Sequence, residues 1–348
     1  MSRPELRISA RRFRANLAAV SERIAPSTLM LVVKDDAYGH GLNWAVQSAV
    51  AAGVEWFGSY DIGTAVAARR AAPDAPRIFA WATSDDAEVD EALEHDIDLG
   101  VGSAGYLRRI VERARARSER ARIHLKIDTG LHRNGIPIGD WAAAVAEVRA
   151  AERDGVLELA GVWSHLSEAS DADDDEAHDV FRDAVARVRE VGSSPEELHL
   201  TASAASWWRP ELRGSLSRIG AFCYGIRSAE GPELENVLPV AELAATVTSV
   251  SGEDVLIDIG SFDGLPSTLA GLSVGTPGGQ RPLRRIEATT ATVGAWPGAR
   301  AGDDVWLFGA GGHGEHSATA LAESIGTVGE EILTRLTARV RRVVVDES

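Results

Sequence analysis

Between residues 28 and 225 the chain repeats one pattern eight times: a short apolar run, then a polar or alanine-rich stretch. The apolar runs are 28–33, 55–59, 77–82, 97–101, 123–127, 159–165, 198–201 and 217–225. Helical patterns at 42–52, 62–72, 87–94, 104–117, 140–153 and 176–191 lie between them. Short, mainly apolar runs between helical patterns suit strands of a parallel sheet crossed over by helices. Eight such βα repeats predict a TIM-like (β/α)8 barrel over residues 11–230.

The pattern changes at Glu230-Gly231-Pro232. Beyond it, short β-rich runs (244–250, 255–259, 283–293, 304–308 and 340–345) alternate with Gly/Pro/Asp turns, and helical stretches at 318–325 and 329–336 interrupt them. This predicts a second, mainly β domain over residues 231–348. At the other end, residues 5–9 alternate like a short strand and 12–25 read as a helix. A chain of 348 residues is long enough for one large and one smaller domain.

Charge and cysteine content narrow the function. A formal net charge of −16 disfavours nucleic acid and anionic membranes as partners. No apolar run is long enough for a bilayer span, and Met1-Ser2-Arg3-Pro4 begins no signal peptide, so the expectation is a cytoplasmic protein. The lone Cys223 excludes an intramolecular disulfide and any cysteine metal cluster. Two charged stretches read as solvated surface. Residues 113–120, rich in arginine, suit a helix end, and 171–175, rich in aspartate, suit an exposed loop.

The most specific residues follow the first apolar run: Val33-Lys34-Asp35-Asp36-Ala37-Tyr38-Gly39-His40-Gly41. Strand interiors rarely carry lysine. At the C-terminal end of a barrel strand, a partly desolvated lysine is placed to condense with an aldehyde. The same residue read alone is also a lysine reaching from a strand end into solvent. The nine-residue stretch resembles the cofactor-lysine signature of the alanine racemase family. That resemblance implies pyridoxal 5′-phosphate (PLP) held on Lys34 through a Schiff base.

Further stretches resemble the same family. Lys126-Ile127-Asp128-Thr129-Gly130-Leu131-His132-Arg133-Asn134-Gly135 is similar to its Lys-x-Asp-Thr-Gly loop. The resemblance implies that Arg133 lies beside the cofactor's phenolic oxygen and that Lys126, seven residues earlier, holds it. Lys126 is then either carbamylated or an ordinary lysine paired with an acid. His165, in Val162-Trp163-Ser164-His165, falls where a family strand ends in Thr-His. His199-Leu200-Thr201-Ala202-Ser203-Ala204 is similar to His-x-x-Asn-Ser-Ala, with Ala202 where asparagine is expected. Arg218-Ile219-Gly220 and Tyr224-Gly225 complete the set. The implied catalytic residues are Lys34, Arg133, His165 and Arg218. The implied cofactor contacts are Lys34, Tyr38, His165, His199, Ser203, Arg218, Gly220 and Tyr224, with Arg218 against the pyridine nitrogen and Ser203, Gly220 and Tyr38 at the phosphate.

The C-terminal part departs from the family. Gly260-Ser261-Phe262-Asp263-Gly264 carries Ser261 where the resemblance implies a tyrosine acting as second acid/base from a partner subunit. Ala288-Thr289-Thr290 and Val328-Gly329-Glu330 stand at two further altered stretches. A serine hydroxyl is a poor general base without a partner. Asp263, Glu287 and His313 or His316 are therefore the candidate substitutes, with a water molecule as the alternative. Gly309-Ala310-Gly311-Gly312-His313-Gly314 fits a dinucleotide fingerprint, but too little chain follows for a full βαβ unit, so a flexible glycine loop is expected. No metal site is expected, and His313-x-x-His316 is a weak pair.

Three functions remain open. The first is a racemase acting on a small amino acid, as the resemblance implies, with the N-terminal strand (1–10) joined to the β domain and two chains arranged head to tail as a homodimer. The second is a PLP enzyme of different outcome, such as a lyase, an elimination or one-sided proton exchange. The third is a non-catalytic PLP-binding homologue.

Overall fold

The structure, a computed structural model, describes residues 3–74 and 77–346. The reading of Met1 and Ser2 as no signal, and the outer limits 1 and 348 of the expected domains, lie outside the described residues. The chain forms two compact units: residues 20–34 with 42–220, and residues 3–19 with 35–41 and 221–346.

In chain order the elements up to residue 219 are β1 (Glu5–Ser9), α1 (Ala10–Ile24), β2 (Thr28–Val32), the short turn α2 (Lys34–Tyr38), α3 (Leu42–Ala51), β3 (Trp56–Ser59), α4 (Ile62–Ala71), β4 (Arg77–Ala80), α5 (Asp86–Glu94), β5 (Asp98–Val101), α6 (Ala104–Arg117), β6 (Ala121–Lys126), α7 (Ile138–Arg153), β7 (Leu157–Trp163), α8 (Asp171–Glu190), β8 (Glu197–His199), α9 (Ser203–Trp208) and β9 (Leu216–Ile219). Strands β2 to β9 form one parallel sheet, ordered β8-β7-β6-β5-β4-β3-β2-β9. Its two ends nearly close the ring. The Leu198 amide donates to the Ser215 hydroxyl at 2.8 Å, and the Arg218 amide donates to the Thr201 carbonyl at 3.3 Å. This is the eight-stranded barrel that the eight apolar runs predict. Met30, Trp56, Phe79, Trp163 and Leu216 pack in one buried cluster.

Helix starts follow local chemistry. Asp85 accepts the Glu88 amide at 2.9 Å while Glu88 accepts the Asp85 amide at 3.0 Å, a capping box that opens α5. The run 171–175, expected as a loop, is instead the first turn of α8. Ser170 caps it, and Asp171, Asp173 and Asp174 suit the positive end of the helix dipole. The arginine-rich end of α6 is tied into ion pairs, Arg113 with Asp90 at 2.5 Å and Arg115 with Asp154 at 2.8 Å.

The other unit contains β1 and the remaining elements: β10 (Ala241–Ser251), β11 (Asp254–Ile257), β12 (Ser273–Val274), β13 (Arg281–Ile286), β14 (Ala291–Gly294), β15 (Asp304–Phe308), α10 (Ala318–Ser324), α11 (Gly329–Thr334) and β16 (Arg341–Val345). Its sheet is ordered β12-β13-β14-β11-β10-β1-β16, with β15 also paired to β10. Strand β1 lies between β10, antiparallel, and β16, parallel. Its Leu6 and Ile8 are fully buried while Glu5 and Arg7 are partly exposed, which is the period-2 pattern of a one-sided sheet. The run expected as one strand at 283–293 is a hairpin of two, because Glu287 and Thr290 close a turn between β13 and β14.

Residues 35–38 belong to this unit and are all left-handed, with φ of 54° at each. Left-handed L-residues cost about 1–2 kcal/mol apiece. The turn is closed by the Gly39 amide on the Asp35 carbonyl (2.9 Å) and the Gly41 amide on Asp36 (3.0 Å).

Candidate active site

In the barrel unit the expected residues gather at the C-terminal ends of the strands, the face where such barrels carry their chemistry. Lys34 ends the barrel segment that contains β2, half-buried, just after Val33, whose amide donates to the Gly58 carbonyl at 2.9 Å. Arg218, on β9, is only 4% exposed. Its Nη1 donates to the His199 carbonyl (2.7 Å) and to His199 Nδ1 (3.1 Å). Its Nη2 donates to the Ser164 carbonyl (2.8 Å), the Leu200 carbonyl (3.2 Å) and His165 Nδ1 (3.2 Å).

A guanidinium only donates, so Nδ1 of both histidines accepts, and the pattern assigns each neutral ring its proton on Nε2. Burial and then the charges of Arg218, Arg133, Lys126 and Lys34 push His165 down to about 3. Those four cations therefore share its neighbourhood. Burial also pulls Arg218 down to about 9, opposed by the carboxylate of Glu168 and assisted by Arg133, so it remains charged at neutral pH.

Lys126, at the end of β6, is 4% exposed and has its Nζ 4.6 Å from the centre of the Trp163 ring. The Arg218 guanidinium carbon is 5.2 Å from the same ring. Burial, with Arg218 and Arg133 adding to it, lowers Lys126 to about 8, and Asp128 opposes the shift. Among the described residues no carboxylate lies within ion-pair distance of Lys126. The alternative of a Lys126 paired with an acid is thus not what the fold provides. Arg133 is exposed in the loop after β6.

The hydroxyl of Ser203, first residue of α9, accepts the Gly220 amide at 3.3 Å. Glu168 is a residue that sequence reasoning missed. It accepts the Ala205 amide at 3.0 Å, and its own φ of 54° marks a strained position in the loop after β7. That φ had no sequence signature, since glutamate is not a left-handed residue type.

In the β unit, Tyr38 and Tyr224 are buried with ring centres 5.1 Å apart, and Phe13 stacks on Tyr224 at 5.4 Å. Burial, with Glu330 and Asp35 adding to it, raises the Tyr38 phenol strongly, and the Ala221 backbone opposes this by hydrogen bonding.

The candidate substitutes for the expected tyrosine are all engaged. Asp263 is 1% exposed, accepting the Gly260 amide and Arg339 Nε, each at 2.8 Å. Glu287 pairs with Arg285 at 3.2 Å. His313 stacks on Trp306, and His316 Nε2 lies 2.9 Å from the Ser273 hydroxyl. Ser261 opens a short turn, beside a Phe262 that is 63% exposed. The glycine loop is not loose. Glu315, 6% exposed, fills it by accepting the amides of Gly311 (2.8 Å), Gly312 (3.1 Å) and His313 (2.8 Å).

Comparison with known proteins agrees with this geometry. The profile of the alanine racemase N-terminal domain matches residues 8–228, and that of its C-terminal domain matches 244–344. An alanine racemase of Thermobifida fusca is 35% identical, with 97% of each chain covered. One from Streptomyces coelicolor is 33% identical, covering 99% of this chain and 96% of the relative. The solved alanine racemase of Streptomyces coelicolor A3(2) superposes with a TM-score of 0.92 at 32% identity, over 99% of this chain and 98% of the other. That of Streptomyces lavendulae gives 0.91, also at 32%, over 100% and 98%. With both halves matched in sequence and the whole chain matched in fold, this protein belongs to the alanine racemase family.

Proposed function

We propose that this chain is a PLP-dependent amino-acid racemase, an isomerase acting on a small amino acid. The family uses pyridoxal 5′-phosphate. The donor set of the barrel suits that group: an amine at the end of the first barrel segment, a hydroxyl and a backbone amide paired at Ser203 and Gly220, and a buried guanidinium. In this reading Lys34 holds the aldehyde covalently, Ser203, Gly220 and Tyr38 hold the phosphate, and Arg218 faces the ring nitrogen. His165, His199 and Tyr224 line the ring, and Arg133 meets its phenolic oxygen. The reading includes a division into an N-terminal strand (1–10), a barrel (11–230) and a β domain (231–348). It also includes a cytoplasmic location and a head-to-tail homodimer. Among the described residues no helix is long and apolar enough to cross a membrane.

When bound, the cofactor withdraws electrons from the α-carbon of an amino acid and so acidifies its α-proton. Lys34 moves a proton at one face of that carbon. Arg218 keeps its own proton at neutral pH, so its role is to orient and not to transfer. The observation that carries the reading is the cluster of Lys34, Lys126, Arg133 and Arg218 about a neutral His165. Such a cluster favours anionic groups, as a phenolic oxygen of the cofactor and a substrate carboxylate are. Burial lowers Lys126 to about 8, which raises the share of the neutral amine that adds carbon dioxide, and carbamylation is part of the proposal.

A second reading, one-sided proton exchange or elimination, is favoured by the β unit. Among the described residues no base hydrogen-bonds to the Ser261 hydroxyl, and Asp263, Glu287 and His316 are held by partners. Nuclear magnetic resonance of α-proton exchange in heavy water, run on separate D- and L-amino acids with chiral analysis, decides between them. Exchange with inversion from both enantiomers supports the racemase, and exchange from one enantiomer without inversion replaces it. For the cofactor, Lys34→Ala is expected to abolish covalent PLP. A variant that still retains PLP covalently after borohydride reduction would overturn the Lys34 assignment.

A further inference from the structure

Barrel interiors are ordinarily filled by branched apolar side chains. A polar line runs through this one. Asp98, the first residue of β5, is fully buried and accepts from Arg77 Nη2 (2.5 Å) and Arg122 Nε (2.7 Å). The Asp98 carboxylate also lies 3.1 Å from His124 Nε2. The other nitrogen of that ring, Nδ1, is 2.8 Å from His199 Nε2, and His199 Nδ1 is 3.1 Å from Arg218 Nη1. His124 and His199 are both fully buried.

The two ends fix every proton between them. Arg218 can only donate, so His199 carries its proton on Nε2 and points it at His124 Nδ1. His124 Nδ1 must then accept, which puts the His124 proton on Nε2, facing Asp98. Asp98 can accept because it is ionised. Burial pushes its acid up, but the hydrogen bond from His124 and the charges of Arg122 and Arg77 outweigh burial and hold it below the usual carboxylate range. All three hydrogen bonds run in one direction and none competes.

The surroundings hold the line in place. Phe79 packs 4.8 Å from the His124 ring and edge-on to His199 at 5.2 Å, and Trp163 stacks parallel to His199 at 5.8 Å. Gly161 leaves the room: a Cβ there would come within 2.2 Å of His124 Nδ1.

We infer that Asp98 and His124 are positioning residues for Arg218. Through His199 they hold the guanidinium in the one orientation that this directed line of hydrogen bonds allows. Their effect on catalysis rests on the proposed function, in which Arg218 faces the cofactor ring.

The test combines spectroscopy of the cofactor-free protein with kinetics of the loaded one. Nitrogen-15 histidine spectra at pH 7.5 are expected to show His124 and His199 each protonated on Nε2 alone, with slowly exchanging N–H protons. His124→Gln offers the same pattern, an amide donor toward Asp98 and a carbonyl acceptor toward His199, whereas His124→Leu offers neither. The leucine variant is expected to lose the slow exchange of the His199 proton. Its kcat for α-proton exchange should fall roughly 10-fold with KM changed less than about two-fold, and the glutamine variant should recover most of that loss.

A doubly protonated His124, a His199 protonated on Nδ1, or leucine and glutamine variants that behave alike would each overturn the inference. If His124→Leu does not fold, the wild-type and His124→Gln spectra still decide it. A wild-type chain that takes up no PLP sinks the proposed function instead, while the imidazole protons still report on the relay.

Discussion

Single residues in this barrel are set by what burial does to their charge. Lys126 is the clearest case, because its amine is buried near two other cations and over an aromatic face, and among the described residues no carboxylate lies within ion-pair distance of it. Its pKa falls from the usual 10.5 to about 8. Between those values the unfolded chain binds a proton that the folded chain does not, so stability rises with pH across that window. Below about pH 8 the cost of the buried charge is fully present, on the order of 3 kcal/mol for a shift of this size. With carbon dioxide excluded so that the amine is free, Lys126→Met is therefore expected to raise the urea midpoint at pH 7 and to flatten its rise between pH 8 and 10.5. A midpoint that falls at pH 7 as well as at pH 10.5 would show that the charge of the free amine is balanced in the folded chain. Lysine at a strand end and its spacing from Arg133 were legible in the sequence. The lack of an acidic partner was not, because any of 52 acidic residues could have supplied one.

Elements follow local sequence where caps and turns govern them, and depart where distant side chains do. The capping box at α5 is local: Asp85 and Glu88 are three residues apart and satisfy each other's amides. Asp85→Ala should cost about 1 kcal/mol by urea unfolding, with unchanged far-ultraviolet circular dichroism, and no measurable change would remove the cap from the account. The acidic run 171–175 misled in the other direction. Aspartates weaken a helix interior but strengthen its first turn, and here Arg209 draws Asp171 (2.9 Å) and Asp175 (2.5 Å) into that turn from 34 to 38 positions away. The split of 283–293 into β13 and β14 is local again, since the Glu287 amide on the Thr290 carbonyl closes the turn between two strands that pair with each other.

For the molecule as a whole, the histidines make acid the weak side. Burial pushes His40 down to about 4 in the β unit, and His165 to about 3 in the barrel, where burial also lowers His199. Each folded pKa lies below the unfolded value of 6.5, so the unfolded chain gains protons first as pH falls. Stability from these groups is complete above about pH 6.5 and is lost progressively toward pH 4 and below. A clear drop in the urea midpoint between pH 7.5 and 5 is expected. Replacing His40, whose Nε2 has no hydrogen-bond partner among the described residues, by a neutral residue of similar shape should reduce that drop. A midpoint unchanged between the two pH values would mean that these rings are protonated in the folded chain.

What the sequence determined by itself was periodicity and local chemistry. Eight mainly apolar runs alternating with helical patterns leave few solutions besides a parallel sheet crossed over by helices, and the lysine motif at 33–41 is contiguous, so both could be read without a partner. Tertiary structure decided everything that depends on residues far apart. Asp98, His124, His199 and Arg218 are spread over 120 positions, and in the sequence His124 is only one polar residue inside an apolar run. Closing the sheet puts their strands around one interior, where a buried polar group must find a hydrogen-bond partner, and the partners available there are one another.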